Sequence, residues 1–309
     1  MKSQLATPIV FIIYKRPETT RRVFDVIAQA RPRKLLVIAD GPRNVGETAQ
    51  CQAARATIES VNWDCEVLTE YADTNLGLKR RVSSGLDWAF SQVEEAIILE
   101  DDCLPDVTFF RFCEELLGYY REEPRIMHIS GDNFLGGRVS VDASYYFSRY
   151  PHIWGWATWK RAWQRYDVDM RLWKDSPNRQ EFLSQFRSRN ERNFWRSRWA
   201  RIAAGKGHSW ASQWVFACLA HHGLSITPDR NLVSNIGVGA DATHTRRRRL
   251  THAMPTRPVN FPLRHPPTII RHEAADAISV REAILNSPSG NRWLDTARWL
   301  AKSVRWQLG

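Results

Sequence analysis

The sequence predicts an α/β fold, an open and mainly parallel sheet flanked by helices. Short runs of β-branched and apolar residues alternate with amphipathic stretches between residues 8 and 130, which is the pattern of parallel strands joined by covering helices. Hydrophobic residues make up 43% of the 309 residues, enough to fill a core. The longest strongly apolar stretch, residues 8–14, is far shorter than the roughly 18 residues that a membrane span needs, so a spanning segment is excluded.

The elements of this sheet follow one another in a regular order. Strands are predicted at residues 9–14, 34–39, 66–69, 96–99 and 126–129. Pro17 suits the first turn of a helix after the first strand, and Leu78, Val82 and Leu86 repeat at helical spacing before the fourth strand. After that strand, Asp106 is positioned to cap a helix with an aromatic buried face.

The composition divides the chain into three parts. Residues 1–130 carry the predicted sheet, and residues 131–245 form an irregular half rich in aromatic residues. Residues 246–309 form a basic C-terminal tail, which begins with Arg246–Arg249, continues through a proline-rich arm and ends in an amphipathic helix predicted from Asn291 onward.

The chain has 44 basic and 33 acidic residues, a net charge of +11, which indicates anionic partners. Phosphorylated small molecules, nucleic acid and an acidic membrane surface all fit this charge. The basic run Arg246–Arg249 and the C-terminal segment suit docking at the inner face of the cell membrane. A solvated or packed basic tail explains the same residues equally well. Five dispersed cysteines without a C-x-x-C pair argue against a disulfide framework or a zinc cluster. A cytoplasmic protein is expected.

Three consecutive carboxylates, Glu100, Asp101 and Asp102, follow the fourth predicted strand. In open α/β sheets, ligands bind beyond the carboxyl ends of the strands, and adjacent carboxylates repel one another. A divalent cation relieves that repulsion, and hard oxygen ligands suit Mg²⁺ or Mn²⁺ bridging a diphosphate. A solvated acidic turn leading to Asp106 is the alternative.

Several motifs in a fixed order resemble one family. The segment 96–112 joins an apolar strand, the three acids, Pro-Asp and an aromatic helix. Segments 14–17, 39–41, 75–77, 154–156, 231–237 and 241–244 complete the series. Together they resemble glycosyltransferases of the GT-A fold, which use nucleotide-diphosphosugar donors; the similarity includes the N-acetylglucosaminyltransferase that starts complex N-glycans and a related bacterial group. The resemblance implies that residues 1–130 bind the donor and residues 131–245 the acceptor.

The resemblance implies roles at the strand ends. Arg16 and Asp40 would hold the nucleotide, with the Asp40 carboxylate accepting from a base N–H. Asp101 would contact the ribose, with Glu100 beside it. Asp102 would bind Mn²⁺ or Mg²⁺.

Two further groups extend this donor site. Lys79, Arg80 and Arg81 crowd the start of a predicted helix, where the helix dipole disfavours cations unless an anion is bound; solvation of these side chains is the alternative. His244 would bind the metal or a phosphate, as a late histidine does in several such enzymes, although a lone histidine is more often structural.

The aromatic half suits an acceptor sugar. Trp154, Trp156 and Trp210 are the expected lining residues, although packing in the core is the usual role of a tryptophan. Ala211 stands where the resembling enzymes have an aspartate that acts as the catalytic base. The candidate substitutes are His208, Asp132 and Asp241; a retaining reaction or lost activity are the alternatives.

The function expected from this sequence is metal-dependent transfer of a sugar from a nucleotide-diphosphate donor, with a UDP-sugar favoured. The acceptor would be a cell-surface glycan or a lipid-linked sugar, and the reaction would be inverting. A nucleotidyltransferase is disfavoured because residues 14–17 contain no glycine for a phosphate loop. A catalytically degenerate relative or a basic glycan- or nucleic-acid-binding protein is the other alternative; the acid cluster of residues 100–102 disfavours nucleic acid.

Overall fold

The computed structural model describes residues 4–237 and 253–281 of the chain. Within these residues it contains ten strands: Ile9–Ile13 (β1), Lys34–Ala39 (β2), Glu66–Tyr71 (β3), Glu95–Glu100 (β4), Cys103–Pro105 (β5), Ile126–Ser130 (β6), Tyr145–Ser148 (β7), Trp156–Trp159 (β8), Leu224–Pro228 (β9) and Val233–Asn235 (β10). The α-helices are Pro17–Ala30 (α1), Thr48–Ala56 (α2), Leu78–Gln92 (α3), Thr108–Tyr119 (α4), Lys160–Trp163 (α5), Arg171–Asp175 (α6), Arg179–Ser184 (α7), Arg189–Ala203 (α8), Ala211–Ala220 (α9) and Glu273–Val280 (α10).

Eight strands form one sheet in the order β3-β2-β1-β4-β8-β6-β9-β7. The first four are parallel. β8 runs against both β4 and β6, β9 is parallel to β6, and β7 runs against β9. Six of the eight strands therefore point the same way, which confirms the expected α/β class with a mainly parallel sheet flanked by helices.

Both faces of the sheet are covered, as parallel strands require. In β1, Ile9, Phe11 and Ile13 pack with residues of α1 and α4. The alternate residues Val10 and Ile12 pack on the other face with residues of α3 and α9. This alternation fixes the register of the strand, because a shift by one residue would exchange the two faces.

The five predicted strands correspond to β1, β2, β3, β4 and β6, with ends within two residues of the predicted ones. α1 begins at Pro17 and buries Val23 and Ile27, as expected. Asp106 precedes α4, and its Oδ1 accepts hydrogen bonds from the Thr108 amide at 2.9 Å and the Thr108 hydroxyl at 2.6 Å. The aspartate thus stabilises the turn from which the helix starts.

The aromatic half is built into the same sheet through β7, β8 and β9. Its helices α6, α7 and α8 surround a separate cluster that includes Trp173, Trp195 and Trp199. Residues 233–237 pass beside the end of β4, because β10 pairs antiparallel with β5. This pairing brings a late part of the chain to the acid cluster.

In the C-terminal part, residues 253–272 form an arm without helices that packs on the domain through buried Val259 and Leu263. α10 follows, a helix that the sequence pattern did not predict, and it packs against β7. Arg246–Arg249 and the helix predicted from Asn291 lie outside the described residues. Among the described helices, none combines the length and apolar character that crossing a bilayer demands.

Candidate functional site

A cavity of about 540 Å³ lies at the carboxyl ends of β1, β2 and β4. Its lining falls into two groups from different parts of the chain. The first, which we call the strand-end wall, includes Arg16, Asp40, Arg81, Glu100, Asp101 and Asp102. The second, which we call the helical wall, comes from the aromatic half and includes Trp154, Arg198, Arg201, Lys206, His208 and Trp210.

Arg16 links the ends of β1 and β4. The two strands pair in parallel, with Ile12 opposite Glu100, so the residues after each strand meet. The guanidinium of Arg16 forms an ion pair with Asp101 and a second one with Asp102, at 2.9 Å from Nη1 to Oδ2. Although burial acts to lower it, the pKa of Arg16 is raised by these two carboxylates. Arg16 is therefore a fixed cation.

The acid cluster keeps an excess of negative charge around Arg16. Burial and the neighbouring carboxylates of Asp102 and Asp101 raise the pKa of Glu100 to about 8. Burial likewise raises the pKa of Asp101 to about 6, against the opposing effect of Arg16. Three carboxylates share one guanidinium, so a further cation would be favourable here.

Asp40 has a different role from the one that the resemblance implied. Its Oδ1 accepts from the amides of Gly41 at 2.9 Å and Leu76 at 2.8 Å. Its Oδ2 accepts from the Asn75 side chain and the Gly77 amide, both at 3.0 Å. An ionised carboxylate has about four acceptor positions, and these four bonds fill them. The expectation that Asp40 accepts from a base N–H is therefore wrong for this arrangement; Asp40 fixes the loop that starts α3.

Arg81, rather than Lys79 or Arg80, carries the positive charge of α3 into the cavity. Lys79 and Arg80 do not line the cavity, which corrects their predicted role. Arg81 is only 3% exposed and forms an ion pair with Glu70. Gly85 lies beside it, and its missing side chain leaves room mainly for Ile38, because an added Cβ would lie 2.5 Å from Ile38 Cγ2 and 3.0 Å from Arg81 Nη2.

Two arginines of the strand-end wall keep a buried Nε without a hydrogen-bond partner. The Nε atoms of Arg16 and Arg81 form no hydrogen bond with the described residues, and a buried donor without an acceptor costs about 1–3 kcal/mol. Burial lowers the pKa of Arg81, although Asp40 opposes that shift. Both side chains line the cavity, where their positive charge favours an anionic ligand.

The three predicted acceptor tryptophans have different positions. Trp154 is half-buried and lines the cavity, and Trp210 reaches the cavity although it is almost fully buried. Trp156 has no exposed surface and stacks on Trp210, with ring centroids 5.5 Å apart, and on His128 at 5.1 Å. Trp156 is therefore a core residue, and its predicted place in the lining is wrong.

Of the candidate bases, His208 is the one that lies in the cavity lining among the described residues. Asp132 is outside it, 1% exposed, and burial holds its pKa well above the ordinary value. That carboxyl is therefore badly placed to take a proton from an acceptor. Asp241 and His244 lie outside the described residues. Ala211 begins α9 and does not line the cavity.

The described residues contain no group of three or more His, Cys, Asp or Glu side chains placed to hold a metal. Glu100 and Asp102 nevertheless both line the cavity, and Mg²⁺ is commonly held by one or two carboxylates together with substrate phosphates. The donor set therefore fits a divalent cation that binds with a diphosphate. Gly237 is needed beside it, because an added Cβ would lie 2.1 Å from Asp102 Oδ2.

The basic members of the helical wall, Arg198, Arg201 and Lys206, are the cavity residues that the sequence motifs did not identify.

No protein-family model and no curated protein matches the chain. Three solved structures show partial similarity. A 4-diphosphocytidyl-2C-methyl-D-erythritol synthase from Anaerococcus prevotii is 10% identical, with a TM-score of 0.33 over 55% of this chain and 78% of the other.

A UDP-glucose pyrophosphorylase complexed with UDP-glucose is 10% identical, with a TM-score of 0.35 over 72% of this chain and 90% of the other. Mouse xyloside xylosyltransferase 1 in its apo form is 11% identical, with a TM-score of 0.34 over 70% and 82%. Similarity at this level assigns neither a family nor an activity to the chain.

Proposed function

We propose that the protein is a glycosyltransferase of the GT-A type that moves a sugar from a nucleoside-diphosphate donor, with UDP-sugars favoured, to a glycan or lipid-linked acceptor. The observation that carries this proposal is the pair of buried, unpartnered Nε atoms on Arg16 and Arg81, in one cavity with the acid cluster. Charged donors of this kind form short, strong hydrogen bonds with phosphate oxygens.

The strand-end wall would bind the donor. Arg16 and Arg81 would donate to the diphosphate, which becomes the leaving group when the bond to the anomeric carbon breaks. Asp102, with Glu100 beside it, would hold Mn²⁺ or Mg²⁺, which when bound neutralises charge on the departing diphosphate. Asp101 accepts hydrogen bonds from Arg16 and from the Tyr14 amide, the latter at 3.2 Å, so it would hold Arg16 in place.

The helical wall would bind the acceptor. Trp154 presents aromatic surface on which the C–H face of a sugar can lie, and the almost fully buried Trp210 borders the cavity beside it. His208 is exposed in the same wall, and a neutral imidazole can accept the proton of the attacking hydroxyl near neutral pH. With the histidine as base, direct attack inverts the configuration at the anomeric carbon.

Product analysis tests this proposal without knowledge of the acceptor. The protein is incubated with UDP-, GDP-, CMP- and dTDP-linked sugars and Mn²⁺, and the products of slow transfer to water are separated. We expect the free sugar and a nucleoside diphosphate from one donor. Sugar 1-phosphate and a nucleoside triphosphate, formed only when pyrophosphate is added, would show nucleotidyl transfer instead.

Asp102→Asn provides the variant for the same assay, because it removes a charge from the acid cluster with little change of shape. We expect it to lose Mn²⁺-dependent cleavage. Asp25→Asn makes the same chemical change on the exposed side of α1 and should retain activity. Full activity in the Asp102 variant would reject the metal role.

A further inference from the structure

We propose that the acceptor sugar carries an anionic group, a phosphate or a carboxylate, and that Arg201 and Lys206 of the helical wall bind it. This inference rests on the proposed transferase function and specifies its acceptor. It is based on the charges of the helical wall, which neither the donor nor the sugar ring of the acceptor requires.

A turn at the end of α8 brings the backbones of Arg201 and Lys206 together. Gly205 adopts a left-handed conformation with φ of 77°, and its amide donates to the Ile202 carbonyl at 2.9 Å. The Lys206 amide donates to the Arg201 carbonyl at 3.0 Å. These two bonds form a Schellman turn, so both residues start from the same end of the helix, and both line the cavity.

The next residue keeps this turn close to the helix. An added Cβ at Gly207 would lie 2.8 Å from Ile202 Cγ1, so a larger residue would push the turn away from α8. The chain then continues directly into His208, which lies in the same cavity lining. The turn therefore places Lys206 two residues from the proposed base.

The helical wall is electrically one-sided. Arg198, Arg201 and Lys206 all line the cavity, whereas the carboxylates that the described residues contribute to the lining belong to the strand-end wall: Asp40, Glu100, Asp101 and Asp102. Arg198 is fixed by a hydrogen bond of 2.7 Å from its Nε to the Ser212 hydroxyl. In the part of the chain that the structure describes, neither Arg201 nor Lys206 forms an ion pair. A dipole at the end of α8 favours cations there by about 0.3–1 kcal/mol, but it does not require that they line a cavity.

Arg201 and Lys206 are exposed side chains that line the cavity, whereas Arg189 and Arg196 are exposed on the same helix and do not line it. Among the residues that the structure describes, the cavity thus receives two cations that have no carboxylate partner, next to the aromatic surface and the base that suit an acceptor. The donor phosphates already have Arg16 and Arg81, so the matching ligand for Arg201 and Lys206 is an anionic substituent on the acceptor.

Equilibrium binding by calorimetry tests the inference with three probes: N-acetylglucosamine 1-phosphate, glucuronic acid and neutral N-acetylglucosamine. Each is titrated into the full chain with and without saturating UDP and Mn²⁺. We expect at least one anionic probe to bind about tenfold or more tightly than the neutral sugar. The anionic probe that binds more tightly than the neutral sugar shows whether the acceptor's anionic group is a phosphate or a carboxylate.

The double variant Arg201→Gln/Lys206→Gln should lose this preference and keep its affinity for UDP within about twofold. Its matched control is Arg189→Gln/Arg196→Gln, which removes the same charge from the same helix and should behave as the wild type. The variants' unfolding midpoints without ligand verify that both remain folded.

Three results would overturn the inference. The first is that neither anionic probe binds more tightly than the neutral sugar, and the second is that the preference for an anionic probe survives in the double variant. The third is a lower UDP affinity in the double variant, because the helical wall would then bind the donor. Failure of the proposed function looks different, because no nucleoside diphosphate would then bind the wild type. A preference for anionic sugars that still depends on Arg201 and Lys206 in that case would support the anion site while rejecting the donor site.

Discussion

The two walls of the cavity are built in different ways. In the strand-end wall, Arg16, Asp40 and Asp102 follow directly after parallel strands whose registers are fixed by the sheet. In the helical wall, Trp154 and residues 198–210 are brought together by packing of α8 and α9 on the aromatic core. The strand-end wall is therefore assembled by pairing of strands that are distant in the chain, whereas the helical wall comes mainly from one continuous stretch, residues 198–210, together with Trp154.

The sharpest contrast within the tryptophans is between Trp156 and Trp154. Trp156→Ala removes a fully buried indole from the middle of the sheet and should lower the free energy of unfolding by about 3–5 kcal/mol. Trp154→Ala removes a half-buried ring at the cavity and should lower it much less. Denaturant titration of both variants measures the difference; equal losses would contradict the assignment of Trp156 to the core and Trp154 to the lining.

Arg81→Gln tests the strand-end wall. We expect nucleoside-diphosphate affinity to fall about 10- to 100-fold, because hydrogen bonds to charged groups contribute about 1.5–3 kcal/mol. Arg80→Gln, one residue earlier on the same helix and outside the cavity lining, is the control and should bind as the wild type does. Isothermal titration gives both affinities. Equal losses in the two variants would show that α3 acts through its overall charge.

Asp40→Asn distinguishes loop positioning from base recognition. In the variant, the amide NH₂ would point at backbone N–H groups that now donate hydrogen bonds to the carboxylate. Two donors would then face each other, so we expect a loss of about 1–3 kcal/mol in the free energy of unfolding. Because the loop and not the base is affected, UDP, GDP and CDP should all bind more weakly by the same factor. A changed preference among the three nucleotides would restore the role in base recognition.

Glu100→Gln tests the acid cluster through its pH dependence. The pKa of Glu100 is about 8 in the folded protein against an ordinary value of 4.5, so the folded state binds the extra proton between these values. The free energy of unfolding of the wild type therefore falls as the pH rises from about 4.5 to about 8. Glutamine cannot ionise, so the variant should be more stable by about 1–2 kcal/mol at pH 8.

At pH 4 the carboxyl is protonated in both the folded and the unfolded chain, and the two proteins should be equally stable. Asp276, whose pKa burial raises to about 6, remains in both and contributes the same slope to each curve. A constant difference at all pH values would mean that the substitution acts through packing.

The two walls of the cavity also differ in how far the sequence could predict their residues. Glu100, Asp101 and Asp102 were placed in the site because they follow a strand that an apolar run identifies, and Arg16 and Asp40 were placed there by the family resemblance. For these residues the sequence could predict a place in the cavity, but it could not predict which hydrogen bonds and ion pairs their side chains form. The four bonds of Asp40 come from a loop whose path depends on tertiary contacts.

The failures have the same origin. Lys79, Arg80 and Arg81 are alike in sequence, and only the rotation of α3, set by packing of Val82 and Leu86 on the sheet, selects Arg81. The positions of Trp156 and Asp132 depend on how the aromatic half joins the sheet through β6 and β8, which no local pattern reveals. The signal that could have located the helical wall was the Gly-Lys-Gly turn at residues 205–207, where a helix end combines basic residues with glycine.

The central claim is that the strand-end wall binds a nucleoside diphosphate together with a divalent cation. The most direct measurement is the thermal unfolding midpoint of the wild type and of Asp102→Asn with UDP, GDP, CDP or dTDP, each in Mn²⁺ or in EDTA. A ligand at 100 times its dissociation constant stabilises the native state by about 2.7 kcal/mol. We predict that one nucleotide raises the wild-type midpoint in Mn²⁺ but not in EDTA, and that the variant shows no such rise. A folded wild type whose midpoint no nucleotide raises, or an undiminished rise in the variant, would contradict the claim.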